Sequence, residues 1–189
     1  IKLKYHMGGE LINVKYRDGR KNFKLYKGAE KIFYNVDSIV GYDWCVITEG
    51  EIDALSLHEA GVKPVVSVPN GATLSSNNLD YLDNCIDYFE DKQKVILAID
   101  NDEAGQALQH ELIRRLGAEV CHVVDLKDCK DANEYLVKYG KEDLANIVAI
   151  AQPVPLEGVS TLKDFEEELK DFVKHGFKPG YQIGLDNFD

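Results

Sequence analysis

VITEGEIDAL, residues 46–55, decides the fold: a short apolar run stops at Glu49, the chain turns on Gly50, and a helix carrying Asp53 opens behind it. An acid at the carboxyl end of a buried strand, with a helix starting behind it, stands where open α/β sheets keep their ligand crevice. A second stretch of the same design follows in VILAIDNDEAG, 95–105, whose apolar run ends on Asp100 and Asp102. If the two strands are neighbours, three carboxylates converge at one sheet edge. Convergent carboxylates beside phosphates are how proteins hold Mg2+, a hard, oxygen-seeking ion.

Working outward, short apolar runs at 45–48, 65–68, 94–99 and 119–124 alternate with helical patterns. Those patterns cover 52–60, 78–89 (Leu79, Leu82, Ile86 and Phe89 on one face) and 103–116 (Ala104, Leu108, Leu112 and Leu116). Strict alternation predicts parallel strands joined by crossovers, a mostly parallel α/β sheet flanked by helices. Two further helices are expected over 131–139 and 142–151, and Gln152, Pro153, Val154 and Pro155 then break the pattern. A last amphipathic helix is expected over 162–175, its stripe made of Leu162, Phe165, Leu169, Phe172 and Val173 and its start marked by Thr161 with Asp164. Upstream, 1–27 reads as a three-stranded antiparallel meander, IKLKYH, ELINVKY and KNFKLY, with turns at Gly8-Gly9 and Asp18-Gly19. Residues 28–43 read as a connecting strand and a short helical turn. The expected division is a basic β-rich subdomain over 1–43, an α/β domain over 44–152 and a linker helix over 153–189.

With 189 residues, 44% of them hydrophobic and 29% charged, the chain can bury one good core and a small accessory unit. No apolar run approaches the roughly 20 residues a bilayer requires, and no leader is visible, so a soluble, cytoplasmic chain with no membrane partner is expected. The four cysteines, Cys45, Cys85, Cys121 and Cys129, are scattered without metal-ligand spacing and read as reduced thiols. Because the chain opens on Ile1 and stops at GYQIGLDNFD, it is expected to be a piece of something longer. The net charge of −11 is unevenly spread: residues 1–34 carry +6 and residues 35–189 carry −17. A basic first segment on an acidic body suits a unit in which one part handles polyanions and the other gathers divalent metal.

Each candidate residue also has a plainer reading. Glu49 could be solvated in a loop, Asp102 could cap the helix after it, and Asp53 could complement the positive end of its own helix. Asp131 makes a capping pattern with Glu134, and Lys130 beside it meets a phosphate or is merely exposed. The loop 69–72, with Gly71, admits a phosphate or is a plain turn. The lysines of the meander could guard a sheet edge against aggregation, although basic residues interleaved with Tyr5, Tyr16, Phe23 and Tyr26 also suit nucleotides.

EGEIDAL followed by an apolar strand ending in DNDEAG resembles the signature of the Toprim domain, shared by primases, topoisomerases and some nucleases. The hairpin Lys15-Tyr16-Arg17-Asp18-Gly19-Arg20-Lys21-Asn22-Phe23-Lys24 before VITEGEID, and KDANE after it, extend the likeness over about residues 10–150 to the phage primase-helicases and their Twinkle-like relatives. The resemblance implies that Glu49, Asp100 and Asp102 are catalytic and hold Mg2+ or Mn2+. It implies that Lys15 and Lys21 contact the phosphates of the incoming nucleotide, with Arg17 and Lys24 as helpers, and that Asp131 lies near the metal; Asp53 and Lys130 are secondary candidates. The implied activity is metal-dependent synthesis of short RNA primers from NTPs on single-stranded DNA, alongside a replicative helicase domain. No zinc module precedes these motifs in the sequence, and no GxxxxGK[ST] loop follows them. The rivals are a Toprim-type nuclease or topoisomerase, a phosphatase built on a DxD nucleophile, and a Toprim unit kept as a non-catalytic DNA-binding spacer. None of the ten tyrosines sits in a topoisomerase motif, and the DxD pair comes two strands later than a phosphatase expects it.

Overall fold

Alternation along two neighbouring strands builds the core. In the computed structural model, which describes residues 1–20, 22–70, 79–156 and 165–176, Trp44–Thr48 (called β4, in chain order) and Lys94–Ala98 (β6) pair in parallel, with Thr48 opposite Ala98. Successive side chains of a strand point to opposite faces. Cys45, Ile47, Val95 and Leu97 therefore enter one hydrophobic cluster, and Val46, Ile96 and Ala98 enter another across the sheet.

Val65–Ser67 (β5), Cys121–Val123 (β7) and Gln152–Pro153 (β8) complete a five-stranded sheet of order β5-β4-β6-β7-β8, parallel except for β8. Helices Glu51–Glu59 (α1), Ala132–Tyr139 (α4) and Lys141–Ala149 (α5) cover one face, burying Leu57, Tyr135, Leu144 and Val148. The other face takes Asp80–Asp83 (α2) and Glu103–Leu116 (α3), through Leu82, Leu108 and Leu112. The mostly parallel α/β sheet expected from the sequence is present.

The N-terminal meander is present too. Lys2–Met7 (β1), Glu10–Arg17 (β2) and Phe23–Leu25 (β3) form an antiparallel sheet of their own. The β1–β2 turn is the two-residue Gly8-Gly9, both at positive φ (61° and 81°), a conformation that glycine adopts freely. Both of its amides donate to the Asp37 carboxylate, at 2.7 and 3.0 Å. The β2–β3 connection is wider than a two-residue Asp-Gly turn, since Arg17 pairs with Phe23 and Asp18 accepts from the amides of Arg20 and Asn22. Leu3 and Tyr5 bury into the same cluster as Ile32, Phe33, Val36 and Ile39, and the short helical turn expected within 28–43 is the 3-10 turn Val36–Ile39.

The helix expected over 78–89 is instead the single turn α2 followed by a 3-10 turn at Ile86–Tyr88, and Asn78 lies outside the described residues. The first turn ends at Asn84, whose side-chain amide donates to the carbonyl of Lys31 (2.9 Å). Leu79, Leu82 and Phe89 still reach the core, whereas Ile86 stays largely exposed. All four cysteines are buried and free.

By backbone contacts, Ile1–Val154 form one unit and Pro155–Asp189 a second. Within the second, Glu166–His175 (α6) exposes Phe165, Leu169, Phe172 and Val173; Thr161, Leu162 and Asp164 lie outside the described residues, as do Gly71 and Ala72 of the 69–72 loop and the terminal GYQIGLDNFD. Among the described residues, no helix is long and apolar enough to cross a membrane.

Candidate metal and nucleotide site

Because β4 and β6 are parallel neighbours in register, Glu49 and Asp100 leave the same sheet edge one and two residues past the last paired positions. The turn after β4 is pinned by the Thr48 hydroxyl, which lies 3.0 Å from the Gly50 carbonyl and 3.2 Å from that of Val66. Gly50 lets Oδ2 of Asp53 lie against the turn, where a Cβ would displace that carboxylate. Asp53 is buried and accepts from the Asn133 amide at 2.9 Å. Burial pushes its carboxyl up to about 6, the Asn133 bond opposes that, and the charges of Asp131 and Glu49 add to it. Asn133 also donates its side-chain amide to Ser56 (2.8 Å), so KDANE is tied directly to EGEID.

Asp100 is more strongly perturbed. Its carboxyl is pushed up to about 7, by burial first and then by the charges of Glu49 and Asp53, with Lys130 opposing. Asp102 caps α3, accepting from the Gly105 amide at 2.9 Å, and that bond holds its carboxyl below the usual range. Gly105 is obligatory for space, because a Cβ there would overlap the backbone carbonyl of Asp100. The Lys130 ammonium stands 3.5 Å from Oδ2 of Asp100 and 3.3 Å from Oδ2 of Asp102. Asp131 caps α4 by accepting from the Glu134 amide at 2.7 Å, while the Glu134 carboxylate accepts from the Lys130 amide at 2.6 Å. Asp131 therefore makes the cap its sequence suggests, and its charge still reaches Asp53 and Asp100.

The structure thus gathers Glu49, Asp53, Asp100, Asp102, Lys130 and Asp131 at one edge. Among the described residues, no three His, Cys, Asp or Glu side chains close around a single point; the cation between Asp100 and Asp102 is the Lys130 ammonium. The donors nevertheless fit a divalent ion. They are hard carboxylate oxygens, and at Asp100 burial and acidic neighbours disfavour ionisation, which a bound dication would relieve. A cleft of about 400 Å³ opens beside Asp100, with Gln106, Gln109 and His110 of α3 along one wall.

The basic hairpin presents a different picture. Lys15 is buried, its ammonium 2.6 Å from Oε1 of Glu51 and 4.8 Å from the centre of the Phe23 ring. The Tyr5 hydroxyl donates to the same Glu51 oxygen. Arg17 lies over the same ring at 5.4 Å and is half-buried, and Lys24 is exposed on β3. Lys21 lies outside the described residues. Sequence reasoning passes over Glu51 and reads Tyr5 as one of the aromatics suited to nucleotides, whereas its hydroxyl donates to Glu51. The available signal was that Glu51 directly follows the Glu49-Gly50 turn and that the alternation of β2 puts Lys15 on its inward face.

Residues 46–136 match the model of the Toprim-like family. The chain is 35% identical to the Twinkle homolog protein, chloroplastic/mitochondrial, of Arabidopsis thaliana, over all of this chain and 29% of that one. It is 38% identical to the primase homolog protein of the same plant, over 83% of this chain and 52% of that one. Among solved structures it resembles a chain in the bacteriophage T7 lagging-strand DNA polymerase interacting with primase domains bound to an RNA/DNA hybrid and dTTP. That match has a TM-score of 0.70 and 30% identity, covering 80% of this chain and 78% of that one. The chain spans about a third to a half of the length of these curated relatives. It belongs to the Toprim-like family, and its similarity to these plant and phage primase-type proteins extends beyond the matched residues.

Proposed function

We propose that this chain is the RNA-polymerising core of a primase-helicase-type replication protein, joining ribonucleotides on single-stranded DNA. One observation carries the reading: parallel β4 and β6 bring Glu49, Asp100 and Asp102 to one edge, where Asp100 is pushed up to about 7 by burial and its acidic neighbours. Toprim primases depend on metal, and we assign Mg2+ to this site, held by Glu49, Asp100 and Asp102. When bound, the ion lowers the pKa of an attacking 3′ hydroxyl and neutralises charge building on the α-phosphate.

The chain's own residues supply position and charge. Lys130, paired to two carboxylates and more than half exposed, supplies a positive charge for phosphate oxygens. Arg17, Lys21 and Lys24 of the basic hairpin hold the triphosphate, and the charges of Asp53 and Asp131 add to the negative potential at Asp100 that a cation would answer. The cleft beside Asp100 has room for part of a nucleotide. Positioning and charge neutralisation account for the rate, without a covalent enzyme intermediate. The partners under this reading are a DNA template, NTPs and a replicative helicase domain, in a reducing, cytosol-type compartment that suits four free thiols.

The test is elongation of a short RNA annealed to a DNA template, which does not depend on template recognition. With Mg2+ and NTPs the wild-type protein extends the RNA. Asp100→Ala and Asp102→Ala abolish extension while leaving the circular dichroism spectrum intact. Nicking of DNA without NTPs would identify a nuclease instead, and DNA binding with neither activity would identify a spacer.

A further inference from the structure

Lys15 and Glu51 are 7% and 3% exposed, and their ion pair of 2.6 Å joins β2 to the first turn of α1, two residues beyond Glu49. Tyr5 of β1, fully buried, donates to the same carboxylate oxygen. Three elements of separate origin thus meet on one oxygen next to the acidic turn. A buried charge that loses its partner is heavily penalised. Drawing Lys15 away onto a phosphate would strand Glu51 and weaken nucleotide binding by roughly two orders of magnitude.

We propose that Lys15 is a positioning residue rather than a phosphate contact: with Glu51 and Tyr5 it locks the basic hairpin onto the strand end that carries Glu49. This rests on Glu49, Asp100 and Asp102 being the metal-holding set. The lock holds the backbone of the Glu49-Gly50-Glu51 turn in the orientation that aims Glu49 at the site, and phosphate is left to Arg17, two residues further along the same face of β2. The Phe23 ring lies beside both cations.

The experiment measures Mn2+ binding by electron paramagnetic resonance, and binding of a fluorescent ATP analogue at saturating Mn2+, in wild type, Lys15→Met, Glu51→Gln and the double variant. Each single change is expected to weaken Mn2+ binding about tenfold, as loss of an outer-shell partner does. The double variant should be no worse than the poorer single, Lys15→Arg should restore binding, and analogue affinity should change by less than about twofold throughout. Loss of analogue affinity of about tenfold or more in Lys15→Met at saturating Mn2+, with Glu51→Gln unaffected, would overturn the proposal and make Lys15 a phosphate ligand. So would unchanged Mn2+ binding in all three variants. If a single variant fails to fold, the double variant decides, because removing both charges leaves none stranded. Wild-type protein that binds no Mn2+, or binding that Asp100→Ala leaves intact, would instead break the metal reading and the proposal with it.

Discussion

Asp100 sits where a carboxylate is least comfortable without a cation. Its side chain is only 15% exposed, and the charges of Glu49, Asp53 and Asp131 all press on it against the single opposing charge of Lys130. The folded-state pKa of about 7 lies above the ordinary 3.8, so between those values the folded protein holds a proton that the unfolded chain has lost, and stability falls as pH rises through that window. Asp100→Asn removes the charge. In EDTA at pH 8 it is expected to stabilise the fold by about 1–3 kcal/mol while abolishing activity, and the gain should fade as pH drops toward 4. Urea denaturation at both pH values checks this; a destabilised variant at pH 8 would show that the charge is already compensated. At this scale the site's acids were legible, because Glu49 and Asp100 each end an apolar run where few other reasons would put an ionised group. Glu51 as the partner of Lys15 was not. Alternation tells which face a side chain takes, but not what another element, 36 positions away, brings to meet it.

Among the elements, α3 is the one on which the site leans. It starts at Asp102, its Gly105 presses on the Asp100 carbonyl, and Leu108 and Leu112 anchor it to the sheet. Gly105→Ala is expected to destabilise the protein by about 1–3 kcal/mol, since the obstacle is backbone and cannot rotate away. It should also lower RNA elongation beyond what the stability loss explains, because the displaced atoms belong to Asp100. Chemical denaturation and elongation run on the same preparation test both; a variant as stable and active as wild type would mean α3 can retreat freely. The helix pattern over 103–116 was readable because nothing competes with it. Over 78–89 the apolar spacing was equally regular, yet Asn84 bonds to Lys31 and the chain closes as two short turns. Spacing reports which residues are buried, and tertiary context that the spacing does not carry sets where the backbone between them leaves the helix.

For the whole molecule, the order β5-β4-β6-β7-β8 matters more than any single element, because it makes the strands that end in Glu49 and Asp100 neighbours. The sequence could state that adjacency only as a condition, since alternation of strand and helix predicts parallel pairing but leaves strand order open. It also could not show that the basic meander shares its core with the acidic body, through Leu3 and Tyr5 in one cluster with Val36, Ile39 and Ile47. That shared core is what brings a positively charged ribbon to an edge of carboxylates. Crystals soaked in Mn2+ and read by anomalous scattering test the arrangement most directly. The account predicts a single strong peak ligated by Glu49, Asp100 and Asp102, with the Lys130 ammonium displaced from between the two aspartates. No peak at that edge, or a peak that persists unchanged in Asp100→Ala crystals, would contradict it.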